Sequence, residues 1–287
     1  MMGKKKKKKG AAYDIVDLGY QLLKNGQLKF KKDCIISMEE ISKPSIDNTL
    51  GSRVDVLEDH SEVSTDNAKI LQINGNCGTI ERCFTMISKI GTDDVPTIVT
   101  TLPWKKAVDG FAYQGGIISY LCRISNLLTI FNAVKENWRN LLEDSTGMDC
   151  ILFIPEITVL LDDRADALLE KNQKKVNLLL YVTKKKHHIY DDEEVFGKQD
   201  DNHSDAYKLI QKMLECAVRL NCKHLIVDPF CHPVLTEDVR DTTDAWVELT
   251  AEDRVTEHIK VIDFTIDDDN LYIIFWKARK PLHRDLN

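Results

Sequence analysis

The sequence predicts an α/β protein, a mixed sheet covered on both faces by helices, with an N-terminal helical and basic extension. Two observations lead there. Runs that are apolar almost throughout, at residues 150–154, 176–182 and 224–227, are what strands buried on both faces look like. Between them lie longer stretches whose apolar residues recur at helical spacing. Alternation of the two builds a three-layer α/β/α body. With 287 residues, 43% of them hydrophobic, the chain is long enough for one large domain with appendages or for two small ones.

Each element follows in order. Residues 1–12 form a basic tail, and residues 13–28 an amphipathic helix with Ile15, Leu18, Leu22 and Leu23 on one side. The polar stretch 37–67, with Pro44 and Gly51, reads as a long loop or lightly structured connector. Residues 13–67 therefore precede the main body, which spans 68–280 and leaves 281–287 as a tail. Within the body, 69–73 is a short strand and 79–90 a helix carrying Ile80, Cys83, Phe84 and Ile87. The β-branched run 97–102 is a strand, and 116–142 is one long helix or two. Ser204 or Asp205 caps a helix to residue 220 with Tyr207, Ile210, Leu214 and Ala217 on one face. After the strand 224–227 comes a helix over 236–249, with Val239 and Trp246 inward. Residues 260–266 and 271–276 close the pattern as a strand pair.

Composition sets bounds on function. No stretch approaches the ~20 apolar residues of a membrane helix, and the start of the chain has no apolar run of a secretory signal. Eight cysteines without a CxxC pair, several inside apolar runs, fit a reduced, intracellular protein. Cys222, His224, Cys231 and His232 match no standard zinc spacing and read as core packing and loop chemistry, so no metal is expected. Residues 1–32 hold ten Lys against two Asp, a surplus of eight; the total of −7 leaves −15 on the rest. The lysines at positions 4–9, Lys4 to Lys9, have no interleaved aromatics, so weak phosphate contact is the most that run offers nucleic acid.

A second layer comes from motif order. Leu121-Cys122-Arg123-Ile124-Ser125-Asn126-Leu127 resembles the second half of the catalytic segment, Gln-Glu-Glu-x-Leu-Cys-Arg-x-Ser-x-Leu, of the microbial poly(ADP-ribose) glycohydrolase-like branch of the macro-domain family. Ile70 to Ile73 with the helix after it, the Pro155-Glu156-Ile157 element, and Leu225 to Leu235 resemble that family's other landmarks, over about residues 68–278. The resemblance implies a macro-domain-like sheet. It also implies where the chemistry would sit, and there the chain departs. At the Gln-Glu-Glu positions stand Ile117, Ile118 and Ser119, and an isoleucine neither donates nor accepts a proton. Arg123 is kept. In the first phosphate loop Trp104, Lys105, Lys106 and Phe111 surround only Gly110, with Gly115 and Gly116 before the next helix as a remaining cradle. In the second, Asp228, Pro229, His232 and Pro233 stand where small residues are expected, while Phe230 keeps its place in the family's pattern.

The resemblance therefore implies a degenerate, pseudoenzyme-like member without catalytic residues or cofactor. Trp104, Lys105, Lys106 and Phe111 are the candidate protein interface. Expected partners are other proteins. Degenerate macro-fold proteins of this kind are similar to import factors of nucleus-forming large phages, which implies cargo or compartment shell proteins as partners, inside a host cell or at the surface of a phage nucleus. The alternative is an ADP-ribose glycohydrolase or nucleotide binder with a rearranged site, using Gly115, Gly116 and a relocated carboxylate among Asp109, Glu156, Asp228, Glu237 and Asp238.

Overall fold

The computed structural model describes residues 27–29, 35–61, 72–77, 95–103, 107, 116–145, 148–161, 173–183, 204–266 and 268–279. A two-stranded ribbon, β1 (Gln27–Lys29) and β2 (Ile35–Ser37), leads into helix α1 (Met38–Asp47). The remaining strands are β3 (Leu50–Arg53), β4 (Gln72–Cys77), β5 (Thr97–Pro103), β6 (Cys150–Val159), β7 (Lys174–Thr183), β8 (His224–Val227) and β9 (Val261–Ile266). They form a seven-stranded sheet in the order β3-β6-β7-β5-β8-β9-β4. Strands β7, β5, β8, β9 and β4 run parallel, while β6 is antiparallel to both its neighbours.

Successive side chains of a strand point to opposite faces, and each face here has its own core. Ile98, Leu178, Leu180 and Ile226 meet α1, α2 (Gly116–Ile124) and α3 (Leu127–Asp144). Val99, Leu179, Leu225 and Phe264 meet the other layer. That layer holds α4 (Asp205–Arg219), α5 (Pro233–Glu237), α6 (Val239–Leu249), α7 (Asp253–His258) and α8 (Asp269–Arg279). The predicted three-layer architecture is what the chain adopts, and nearly every strand of the body falls where its apolar run lies.

Two expectations are corrected. The stretch 37–67 is no bare connector: it holds α1 and the edge strand β3, which pairs with β6. The buried side chains of α1 are Met38, Ser42 and Ser45, spaced for a helix but mostly small and polar. Hydrophobic periodicity does not register such a face. Ser37 caps the helix by accepting the Glu40 N–H, and Pro44 lies within it. At Gly51 a Cβ would sit 3.3 Å from Leu141 and 3.5 Å from the Trp138 ring, so the missing side chain lets α3 lie close on β3.

The second correction concerns 271–276, expected as a strand beside 260–266. It is α8, started by Asp268, whose carboxylate accepts the Asn270 and Leu271 N–H groups. An apolar run without periodicity does not distinguish helix from strand; the aspartate cap decides it. The 116–142 segment is two helices. Ser125 bridges to Val159, and Asn126 accepts from the Thr158 N–H and donates to the Ile41 carbonyl, which tethers the break to β6 and α1. The helix expected over 236–249 is α6 preceded by the short α5. Of the helix expected over 13–28, only residues 27–28 are described, and they belong to β1. The expected helix over 79–90 and both tails lie outside the described residues.

Candidate functional site

Five parallel strands end on one edge of the sheet. The chain leaving β5 turns to the α2/α3 face and returns as β6 and β7 on one side. The chain leaving β8 turns to the opposite face and returns as β9 on the other. Adjacent strands whose continuations diverge in this way leave a crevice beyond their carboxyl ends, where open α/β sheets bind ligands. The two segments singled out in the sequence flank that point, α2 from one face and residues 228–235 from the other.

The far end of α2 is held at the opposite edge of the sheet. The Ile124 carbonyl accepts the N–H groups of Leu160 and Leu161, just past the end of β6. Its first turn, opened by Gly116, therefore points back towards the carboxyl edge. Ile117 is half-buried against the core, whereas Ile118 belongs to it. Ser119 is buried as well, and its hydroxyl accepts from the Arg123 guanidinium at 3.5 Å, one turn along. Arg123 stands in the last turn, away from the helix start.

The 228–235 loop is folded upon itself. Asp228 takes the Phe230 N–H on its carboxylate and the Cys231 N–H on its carbonyl. His232 is buried; its Nδ1 accepts the Val234 N–H and its carbonyl the Leu235 N–H, while Pro229 and Pro233 have no N–H at all. The Pro229 carbonyl accepts from the Trp246 indole at 3.2 Å. Phe230 is buried edge-on to Phe275, which continues through Phe264 to Trp246. A phosphate cradle needs several N–H groups converging on one point. Here four are engaged inside the turn, and the exposed Asp228 adds a negative charge beside it.

Sequence reasoning missed Thr101 at the end of β5, whose hydroxyl donates to the Cys231 carbonyl and thiol and ties the loop to the sheet. Burial, reinforced by Asp228, pushes the Cys231 thiol up to about 12, so it remains protonated and a poor nucleophile at neutral pH. The four residues weighed for zinc have separate tasks. His224 pairs with Asp263 inside the sheet at 2.5 Å, Cys222 contacts the Leu220 carbonyl, and Cys231 and His232 serve the loop. Asp263 is a second residue the sequence reading passed over, although one acid in the apolar run of β9 signals a buried partner.

The relocated carboxylates disperse too. Glu156 pairs with Lys175 at 2.6 Å near the start of β7, on the far edge of the sheet, and Asp238 caps α6. Glu237 is exposed at the end of α5. Gly110, Gly115, Trp104, Lys105, Lys106, Phe111, Asp109 and the lysines Lys4 to Lys9 lie outside the described residues. No described helix is long and apolar enough to cross a membrane.

No family model matches the sequence, and no curated protein resembles it in sequence. Solved structures share its backbone. The poly(ADP-ribose) glycohydrolase of Thermomonospora curvata superposes with a TM-score of 0.66 at 15% identity, over 92% of this chain and 98% of the enzyme. The fold is that of the poly(ADP-ribose) glycohydrolases. The same enzyme bound to the inhibitor ADP-HPD gives a TM-score of 0.63 at 14% identity, over 92% of this chain and 97% of that one. The glycohydrolase of Deinococcus radiodurans in complex with ADP-ribose gives 0.52 at 14%, over 84% and 97%. Coverage of 92% extends beyond residues 68–278, where the sequence resemblance lies, in keeping with the place of β3 in the sheet.

Proposed function

We propose that this chain keeps the glycohydrolase fold without its hydrolytic chemistry and works by binding other proteins. The observation that carries the reading is the start of α2. Where the resemblance calls for Gln-Glu-Glu, the chain has Ile117, Ile118 and Ser119, and the two that stand for the glutamates are buried. Removing a general acid or base costs ~10²–10⁴ in rate, and the self-satisfied loop after β8 supplies little to hold a diphosphate. Selection of proteins for import into a phage nucleus-like compartment is the specific form proposed, with cargo or shell proteins as partners. A tagged copy spread evenly through an infected cell, with cargo delivery unchanged when it is removed, would exclude that form.

The test of the general reading is ligand-based. A ligand held at 100 times its Kd raises folding stability by ~2.7 kcal/mol, which is a shift of several degrees in melting temperature. ADP-ribose is expected to give no shift, and incubation with ADP-ribosylated protein to release no ADP-ribose. Micromolar binding together with release sinks the reading. Binding without release instead supports the second one, a nucleotide binder, which is favoured by Gly116 opening α2 at the carboxyl edge and by the likeness to a structure solved with ADP-ribose.

A further inference from the structure

Helix α8 is apolar nearly all round: Leu271, Tyr272, Ile273, Ile274, Phe275 and Trp276 follow one another. Such a helix is normally covered on every side. It packs on α6 and the sheet edge at β4 and β9, with Phe275 fully buried. Among the described residues, its outer face is left open. Ile273 is 47% and Ile274 38% exposed, two of the four large hydrophobic residues exposed among the described residues. Tyr272 and Trp276, partly buried against the core, stack on each other beneath that face, ring centroids 6.0 Å apart and 9° from parallel. Exposed residues Asn270, Ile273, Ile274 and Lys277 stand at helical spacing and form one stripe along the solvent side.

The charges on that stripe identify the occupant. The amino end of α8 carries exposed Asp268 and Asp269, and its carboxyl end carries exposed Lys277. A helix acidic at one end, basic at the other and apolar in the middle is complementary to itself when antiparallel. We propose that the α8 face is an isologous dimer interface, on which α8 of a second copy packs antiparallel about a twofold axis between Ile273 and Ile274. That arrangement sets Ile273 of one copy against Ile273 of the other and Ile274 against Ile274, with Lys277 opposite Asn270 and beside Asp269. A twofold axis makes the Lys277 contacts occur twice. The isoleucines supply the apolar centre; the rim charges fix the orientation. An 11-residue helix is only ~16 Å long, and its face falls short of the ~800 Å² per partner of a standard interface. The dimer is therefore a reversible one of micromolar strength.

Sedimentation equilibrium of the full chain across the micromolar range tests this. Wild type is expected to pass from monomer to dimer, and Ile273→Asp or Ile274→Asp to stay monomeric with an unchanged circular dichroism spectrum. Asp269→Lys or Lys277→Asp alone is expected to weaken association ~10-fold, and the two together to restore it, because each reversed charge meets its new opposite on the other copy. Ile273→Cys, oxidised at concentrations where the dimer forms, is expected to give a disulfide-linked dimer absent from wild type. That readout stands even if an aspartate variant fails to fold. A wild type that remains monomeric throughout, a dimer indifferent to Ile273→Asp, or a double reversal that restores nothing overturns the proposal.

Discussion

Glu156 shows what one residue carries in this fold. It sits in a bulge of β6 with φ of 53°, a conformation in which L-residues other than Gly, Asn and Asp are strained. Three contacts, two from β7 and one from α1, hold it there: its N–H donates to the Asn177 side chain, its carbonyl accepts from Ser45, and its carboxylate pairs with Lys175. The ion pair is about half exposed and contributes roughly 0–1 kcal/mol. The backbone strain outweighs it. Glu156→Gly is therefore expected to be more stable than Glu156→Ala by about 1 kcal/mol in urea denaturation, since both lose the pair and only glycine loses the strain. Equal stabilities would show that the bulge is relaxed. At the crevice the residue-scale test is chemical. With its thiol raised to about 12, Cys231 is expected to escape iodoacetamide at pH 8 in the native protein and to react in urea, as mass spectrometry of the peptide would show. Rapid native labelling would mean an activated thiol and reopen the case for chemistry at this loop.

At the scale of elements, α2 decides how the site is understood. Ile118 packs beneath the sheet while Ile117 is only half-buried. Ile118→Glu is expected to lower stability by about 3–5 kcal/mol, because it places an uncompensated charge in the core. Ile117→Glu is expected to be mild, and neither to create hydrolysis of ADP-ribose linkages. An Ile118→Glu protein that keeps its melting temperature would mean that α2 can turn that position outward. The same elements explain what was legible in the sequence. Strands β5, β6, β7 and β8 announce themselves because burial on both faces demands unbroken apolar runs, and α4 because Ser204 caps an amphipathic pattern. Helix α1 escaped because its buried face is Met38, Ser42 and Ser45, and α8 because Leu271 to Trp276 has no period. Of the site, the loss of acids from α2 was readable as residue identity. The closure of the 228–235 loop was not, since it depends on Trp246 and Thr101 arriving from distant elements.

For the whole molecule, the question is where the folding unit begins. Sequence composition sets the body at residue 68, after a polar stretch. The sheet includes β3, whose four residues cover the first four of the ten-residue β6, in the register from Leu50 against Phe153 to Arg53 against Cys150. Above them α1 packs Met38, Ile41 and Ile46 on the same core that holds Leu127 and Leu178. A chain beginning at residue 68 would lose both at once. It would leave β6 as a long bare edge, the feature that invites strand-to-strand aggregation, and would uncover Trp138 and Leu141 where Gly51 now lies. A chain beginning at residue 27 would keep β1, β2, α1 and β3. The expectation is that the longer chain is soluble and unfolds cooperatively in urea with the midpoint of the full protein, whereas the shorter one aggregates or unfolds at a lower midpoint with a broadened transition. A shorter chain that matches the full protein in solubility and midpoint would show that α1 and β3 are ornaments on an independent body. The coverage of the glycohydrolase fold, which reaches into the first 67 residues, argues that they belong to it.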